Sequence, residues 1–186
     1  MSTYVIIICG IIVAVLYGIT SYNSLIKARN KVKANMAQID VVLKRRNDLI
    51  PNLVECVKGY IKYESETLEK VINSRNSALN AADLNNINDK LISQKSIDHE
   101  LNNLLALAEN YPDLKANTNF IELCNELSKS EDKISYARTF YNDAVYSYMN
   151  KCESFPSSII AKVFNFKSYE MIKISEEEKD NIKVRF

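Results

Sequence analysis

Apolar side chains fill the first segment without interruption. Tyr4 to Ile19 contains no charged or strongly polar side chain, and Thr20, Ser21 and Tyr22 extend the run. At 1.5 Å per residue, about 19 helical residues span roughly 28 Å, near the lower limit for one crossing of a bilayer core. A cleaved signal peptide would carry a basic leader and a small-x-small cleavage site. Ser2 and Thr3 precede this run with no Lys or Arg, and bulky Ile8 stands before Cys9 where a lipid-attachment site needs a small residue. The pattern predicts an uncleaved transmembrane anchor over residues 1–22.

Beyond Tyr22 the apolar spacing changes to three and four. Leu25, Ala28, Val32, Met36, Ile39 and Leu43 form one helical stripe, predicting a helix that leaves the membrane without a break. It is expected to end near Asp48, because Pro51 removes an amide donor and disfavours α geometry at Ile50. A second predicted helix follows, with Leu53, Val54, Val57, Ile61, Leu68, Val71, Ile72 and Leu79 inward. Gly59 inside it costs about 1 kcal/mol relative to Ala. Asp83 is the expected cap of a third helix, striped by Leu84, Ile87, Leu91, Ile97, Leu101, Leu104, Leu105 and Ala108.

Tyr111–Pro112–Asp113 interrupts the pattern. Asn119 with Glu122 reads as the capping box of a fourth helix. Its stripe is Phe120, Leu123, Leu127, Ile134, Ala137, Tyr141, Val145, Tyr148 and Cys152, and Phe155–Pro156 ends it. The four helices beyond the anchor are then about 28, 29, 26 and 34 residues, or roughly 40–50 Å. Similar lengths and short connections suit an antiparallel bundle. The expected fold class is all-α: a transmembrane helix continuing into an elongated antiparallel four-helix bundle over residues 23–155.

That topology delivers the chain after Phe155 back to the bilayer. Ile159, Ile160, Val163, Phe164 and Phe166 lie between Pro156 and Lys167, with Lys162 and Lys167 at the edges. This short element either rests on the membrane surface or closes the end of the bundle. With the charged stretch from Ser175 to Phe186, expected to be mobile or weakly docked, it makes a third region over residues 156–186.

Composition narrows the class. The 186 residues suffice for one domain, and 47% hydrophobic with 25% charged excludes both a disordered chain and a multi-span membrane protein. Three glycines and three prolines are too few for sheets joined by tight turns. They also leave no glycine-rich phosphate loop. A net charge of +1 argues against a dedicated nucleic-acid binder. Residues 1–20 carry no Lys or Arg, whereas residues 21–46 carry Lys27, Arg29, Lys31, Lys33, Lys44, Arg45 and Arg46 against Asp40 alone. The positive-inside rule then places the N-terminus outside and the body in the cytoplasm. Cys9, Cys56, Cys124 and Cys152 show no C-x-x-C and are read as free thiols.

Candidate chemistry is sparse. A di-iron bundle needs Glu-x-x-His on two helices, and this chain has one histidine, His99, preceded three residues earlier by Ser96. No zinc spacing and no G-x-S-x-G occur. No catalytic, cofactor-binding or metal residue is assigned, and a non-enzyme is expected. Asp98-His99-Glu100-Leu101 on a bundle helix leaves a remote alternative, a histidine phosphotransfer module with His99 as phosphoryl acceptor. Lys44, Arg45, Arg46 and Asp48 form a candidate partner surface, or else pair with acids such as Asp48 and Glu55. Glu64, Glu66 and Glu69 read as a solvated face. Tyr136, Tyr141, Tyr146 and Tyr148 read as core and interface rather than a cofactor pocket.

These residues carry a family resemblance. Tyr22-Asn-Ser-Leu25, Gln38-Ile-Asp-Val41, Leu43-Lys-Arg-Arg46 and Asp48-Leu-Ile-Pro-Asn-Leu-Val-Glu55 open it. Tyr111-Pro-Asp-Leu-Lys-Ala-Asn117, Ala137-Arg138, Tyr141-Asn-Asp-Ala-Val145 and Phe155-Pro156 continue it. The chain resembles the LemA family of bacterial membrane proteins over roughly residues 1 to 167. Trp near Met36 would be usual there, and this chain has none. The resemblance implies one N-terminal span, an elongated helical body, and no established enzymatic activity. Relatives in magnetosome-forming bacteria are associated with internal membranes, which implies a role in membrane organisation.

The expected function is a membrane-anchored scaffold that self-associates and organises or remodels the membrane. Its partners would be the lipid bilayer and further copies of itself, without a cofactor, nucleic acid or small-molecule substrate. The alternative is an anchored adaptor recruiting an envelope-stress or signalling protein.

Overall fold

Helix α1 runs from Ser2 to Lys58 in a computed structural model that describes residues 2–61, 64–82 and 87–173. Helix α2 spans Ser65–Ala82, α3 Ile87–Ala108, α4 Pro112–Lys115, α5 Thr118–Glu153 and α6 Ser157–Val163. The described residues are all-helical, with no strand. Asp83, Leu84 and the stretch from Ser175 to Phe186 lie outside them.

The expected break near Asp48 is absent, because α1 passes through Pro51 and ends only at Lys58. The reason is local. Proline has no amide to donate to the carbonyl four residues back, and an orphaned buried carbonyl is what makes such a position costly. Here that carbonyl belongs to buried Asn47, and Arg75 of α2 donates its Nε–H to it at 3.2 Å. A partner helix thus replaces the missing donor, and the helix continues. The chain turns instead at Gly59–Tyr60, where the amides of Tyr60 and Ile61 both bond the Val57 carbonyl at 2.9 and 3.0 Å.

The start of α5 also differs from the expectation. Its cap is Asn117, not Asn119: the Asn117 Oδ1 accepts the Phe120 amide at 3.0 Å. The Asn117 Nδ2 donates to the Tyr60 hydroxyl at 2.7 Å, tying the cap to the turn after α1. The predicted breaker at Tyr111–Pro112 holds the short α4, whose Leu114 is fully buried.

The chain forms two compact units. Among the described residues, one comprises 2–37 and 139–171, the other those within 38–138 together with 172 and 173. In the second, Ile50, Leu53, Val54 and Val57 of α1 join Leu68 and Val71 of α2, and Ile97, Leu101 and Leu104 of α3. Leu114 and Phe120 complete this core. The buried line of α3 runs Ile87, Lys90, Gln94, Ile97 and Leu101, so it passes through two polar residues while Leu91 sits only half-buried. Lys90 is accommodated because its ammonium meets Asp40 at 2.8 Å. In the first unit, Leu25 and Val32 of α1 are buried, as are Tyr141, Ala144, Val145 and Tyr148 of α5.

Candidate functional site

The candidate membrane-contact residues sit on and just after α6, in the same unit as the apolar start of α1. Helix α6 begins after Pro156, where the Ser157 hydroxyl bonds the Lys151 carbonyl at 2.6 Å. It ends in a paired cap. The Phe166 amide reaches the Ala161 carbonyl at 2.9 Å, and the Asn165 amide reaches the Lys162 carbonyl at 3.2 Å. Asn165 takes φ 51°, the left-handed geometry that this cap requires and that Asn tolerates.

The cap turns the chain so that two aromatic rings meet Tyr22. Phe164 lies 4.7 Å from the Tyr22 ring centre and Phe166 lies 5.8 Å from it, edge-on. The Arg29 guanidinium stands 5.4 Å above the Phe166 ring, a cation–π distance. Beyond the cap, the buried Tyr148 hydroxyl donates to the Lys167 carbonyl at 2.8 Å, and Tyr141 donates to the Glu170 carbonyl at 3.1 Å. Two tyrosines of α5 thus hold the strap after α6. Burial raises both phenols above the ordinary tyrosine range.

The five candidate contact residues therefore divide. Ile160 is half-buried, its Cδ1 4.0 Å from where a Cβ on Gly18 would stand. Phe166 is half-buried against Tyr22 and Arg29. Ile159, Val163 and Phe164 remain 53%, 70% and 56% exposed, and neighbouring Phe155 is also exposed. The apolar start of α1 is long and apolar enough to cross a membrane, and none of its most apolar 18-residue window is buried. That last fact separates it from the core helix of a soluble domain.

The candidate partner residues divide as well. Lys44, Arg45 and Asp48 are exposed, with Arg45 paired to Glu126 at 2.8 Å. Arg46 is only 5% exposed and is held by Asp98 of α3 and by Glu131 of α5, the latter at 2.9 Å. The acids that meet these arginines thus come from other helices rather than from Asp48 or Glu55. Lys44 and Asp48 line a cavity of about 490 Å³ together with Asn47, Arg75 and Lys90. His99 is exposed on α3, its Nδ1 3.3 Å from Glu100. The four cysteines are free, and burial raises the thiols of Cys56, Cys124 and Cys152 above their ordinary range.

The sequence profile of the LemA family matches residues 35–186. The chain belongs to the LemA family. Protein LemA of Metamycoplasma hominis is 25% identical over 164 residues, covering 86% of this chain and 72% of that protein. Magnetosome proteins MamQ 1 and MamQ 2 of Paramagnetospirillum magneticum are each 21% identical over 172 residues. That similarity covers 80% of this chain but 63% of either magnetosome protein, so the chain spans less than two thirds of their length. The LemA family match contains α6 and its cap but begins after Tyr22 and Arg29, which seat Phe164 and Phe166.

Proposed function

We propose that this LemA-family chain is a membrane-anchored, non-enzymatic helical scaffold that self-associates and organises the membrane to which it is attached. The carrying observation is the outer face of α6. Ile159, Val163 and Phe164 are exposed there, in the same unit as the candidate span, with Ile160 beside Gly18. Burying exposed apolar surface in lipid is favourable by about 25 cal/mol per Å², and Lys162 and Lys167 flank the patch. In this reading the N-terminus lies outside and the body in the bacterial cytoplasm, which the basic flank of residues 21–46 supports.

The body is proposed to be an antiparallel four-helix bundle. Pairings between α1 and α5 or its cap support this within each unit: Ser24 with Lys151 and Asn35 with Phe140 in one, Arg45 with Glu126 and Cys56 with the cap residue Asn117 in the other. Residue numbers rise along α1 as they fall along α5. Self-association is supported by large side chains that α5 leaves exposed, Tyr136, Phe140 and Tyr146.

The test reconstitutes the full-length chain into liposomes imaged by electron cryo-microscopy. Ordered assemblies or reshaped vesicles are expected from the wild type. They should be lost in the Ile159→Asp, Val163→Asp double variant while circular dichroism stays helical. Isolated monomers on undisturbed vesicles would overturn the scaffold and favour the second reading. That reading is an adaptor recruiting a protein through exposed Lys44, Arg45 and Asp48, beside the cavity that Lys44 and Asp48 line.

A further inference from the structure

At the end of the apolar run of α1 the structure holds a small cavity of about 350 Å³. Tyr17, Thr20, Ser21, Ser24 and Leu25 line it from α1, Lys151 from α5 and Ser157 from α6, all within one unit. Five of these seven side chains carry hydroxyls, one is a cation and Leu25 is apolar. No carboxylate lines the cavity.

Most of the polar groups already have one partner. The Thr20 hydroxyl donates to the Tyr17 carbonyl at 2.9 Å, and the Lys151 ammonium donates to the Ser24 hydroxyl at 2.8 Å. Ser21 is the exception. It is 8% exposed, and its hydroxyl has no hydrogen-bond partner among the described residues. A helical serine ordinarily bonds back to the carbonyl four residues earlier. For Ser21 that is the carbonyl of Tyr17, which already accepts the Thr20 hydroxyl. A buried hydroxyl left without a partner costs free energy and calls for an explanation. Lys151 has three N–H donors, of which one reaches Ser24.

We propose that this cavity binds the phosphate group of a phospholipid. The hydroxyl protons of Thr20 and Ser157 are already donated to backbone carbonyls, which leaves Tyr17, Ser21, Ser24 and the ammonium as the polar donors; without an acid beside them they suit a phosphodiester, whose oxygens accept several charge-assisted hydrogen bonds. Position selects the lipid as its source. The cavity lies at the last residues of the apolar run, at the depth where a bilayer places its headgroups if α1 spans. The acyl chains of such a lipid would run beside the exposed apolar residues of α1. The proposal thus rests on the reading of α1 as a membrane span and adds to it a specific ligand site.

The test uses the full-length chain purified in detergent and native mass spectrometry, titrated with phosphatidylglycerol, with diacylglycerol, and with soluble glycerol phosphate. One phosphatidylglycerol per chain is expected to be retained. Diacylglycerol is expected to be lost, and glycerol phosphate not to compete. Lys151→Met and Ser21→Ala should each weaken retention by about tenfold or more, the scale of a charge-assisted hydrogen bond, while the helical signal stays unchanged. Equal retention of diacylglycerol, unchanged retention in both variants, or full competition by glycerol phosphate would each overturn the proposal. Alkaline carbonate extraction of the source membranes reads the span separately. A chain that resists extraction yet retains no phospholipid refutes the site alone, and one that is extracted refutes the span beneath it.

Discussion

Tyr148 shows how a single side chain can join a packing role to a measurable pH dependence. It is fully buried, and its hydroxyl holds the Lys167 carbonyl. Burial raises its pKa above the ordinary range, so the folded chain keeps this proton when the unfolded chain has released it. Tyrosines of the unfolded chain ionise near pH 10. Above that value the native state binds more protons than the unfolded state, so stability falls as pH rises. Thermal melts of the full-length chain should therefore hold a steady midpoint near neutral pH and lose it above about pH 10. Tyr148→Phe should cost about 1 kcal/mol at neutral pH and make the alkaline fall shallower. Parallel curves for the two proteins above pH 10 would refute this role. Arg46 teaches a different lesson at the same scale. Read as one of a run of surface charges, it is buried between Asp98 and Glu131. Its position was legible: Leu43, Arg46, Asn47 and Ile50 keep the three-and-four spacing of the buried face. Its partners were not, because they lie 52 and 85 residues away on other helices.

At the scale of elements, helix type and phase were readable and helix ends were not. The stripes through Leu25 and Val32, through Leu101 and Leu104, and through Tyr141 and Tyr148 fall on buried faces, whereas Leu105, expected on the α3 stripe, is exposed. The ends failed where a tertiary contact outweighed a local rule. Pro51 is such a case, because the donor that rescues the Asn47 carbonyl comes from Arg75. A double-mutant cycle on the full chain can measure this. Arg75→Ala alone leaves the carbonyl without a donor and should cost about 1–3 kcal/mol. In a Pro51→Ala background the restored amide at position 51 can take the carbonyl, so the same Arg75 change should cost clearly less. A coupling of about 0.5 kcal/mol or more is expected from chemical denaturation. Strict additivity would show that Arg75 acts elsewhere. The cap of α6 is a second case. Asn165 between Phe164 and Phe166 is a weak signal in sequence, and the cap became visible only through its left-handed geometry and paired bonds.

For the whole molecule, the sequence carries one asymmetry that the fold does not supply: the distribution of positive charge along α1. The helix is 57 residues long, about 86 Å at 1.5 Å per residue, far more than a bilayer core requires. Composition alone marks which part could lie in lipid. A Lys or Arg at the bilayer centre costs about 3 kcal/mol, and residues 1–20 would incur none of that cost. Residues 21–46 hold seven basic side chains and one acid, so moving the short N-terminal flank outward is far easier than moving the basic flank with the body behind it. The arrangement is testable in intact bacterial cells with a membrane-impermeant maleimide, in a background where the four native cysteines are replaced by serine. Thr3→Cys should be labelled from outside. Lys129→Cys, at an exposed position on α5, should be labelled only after the cells are permeabilised. The reverse pattern would place the body outside. It would also move the α6 face and the Lys151 cavity to the outer leaflet, leaving their chemistry intact but exchanging the lipids they meet.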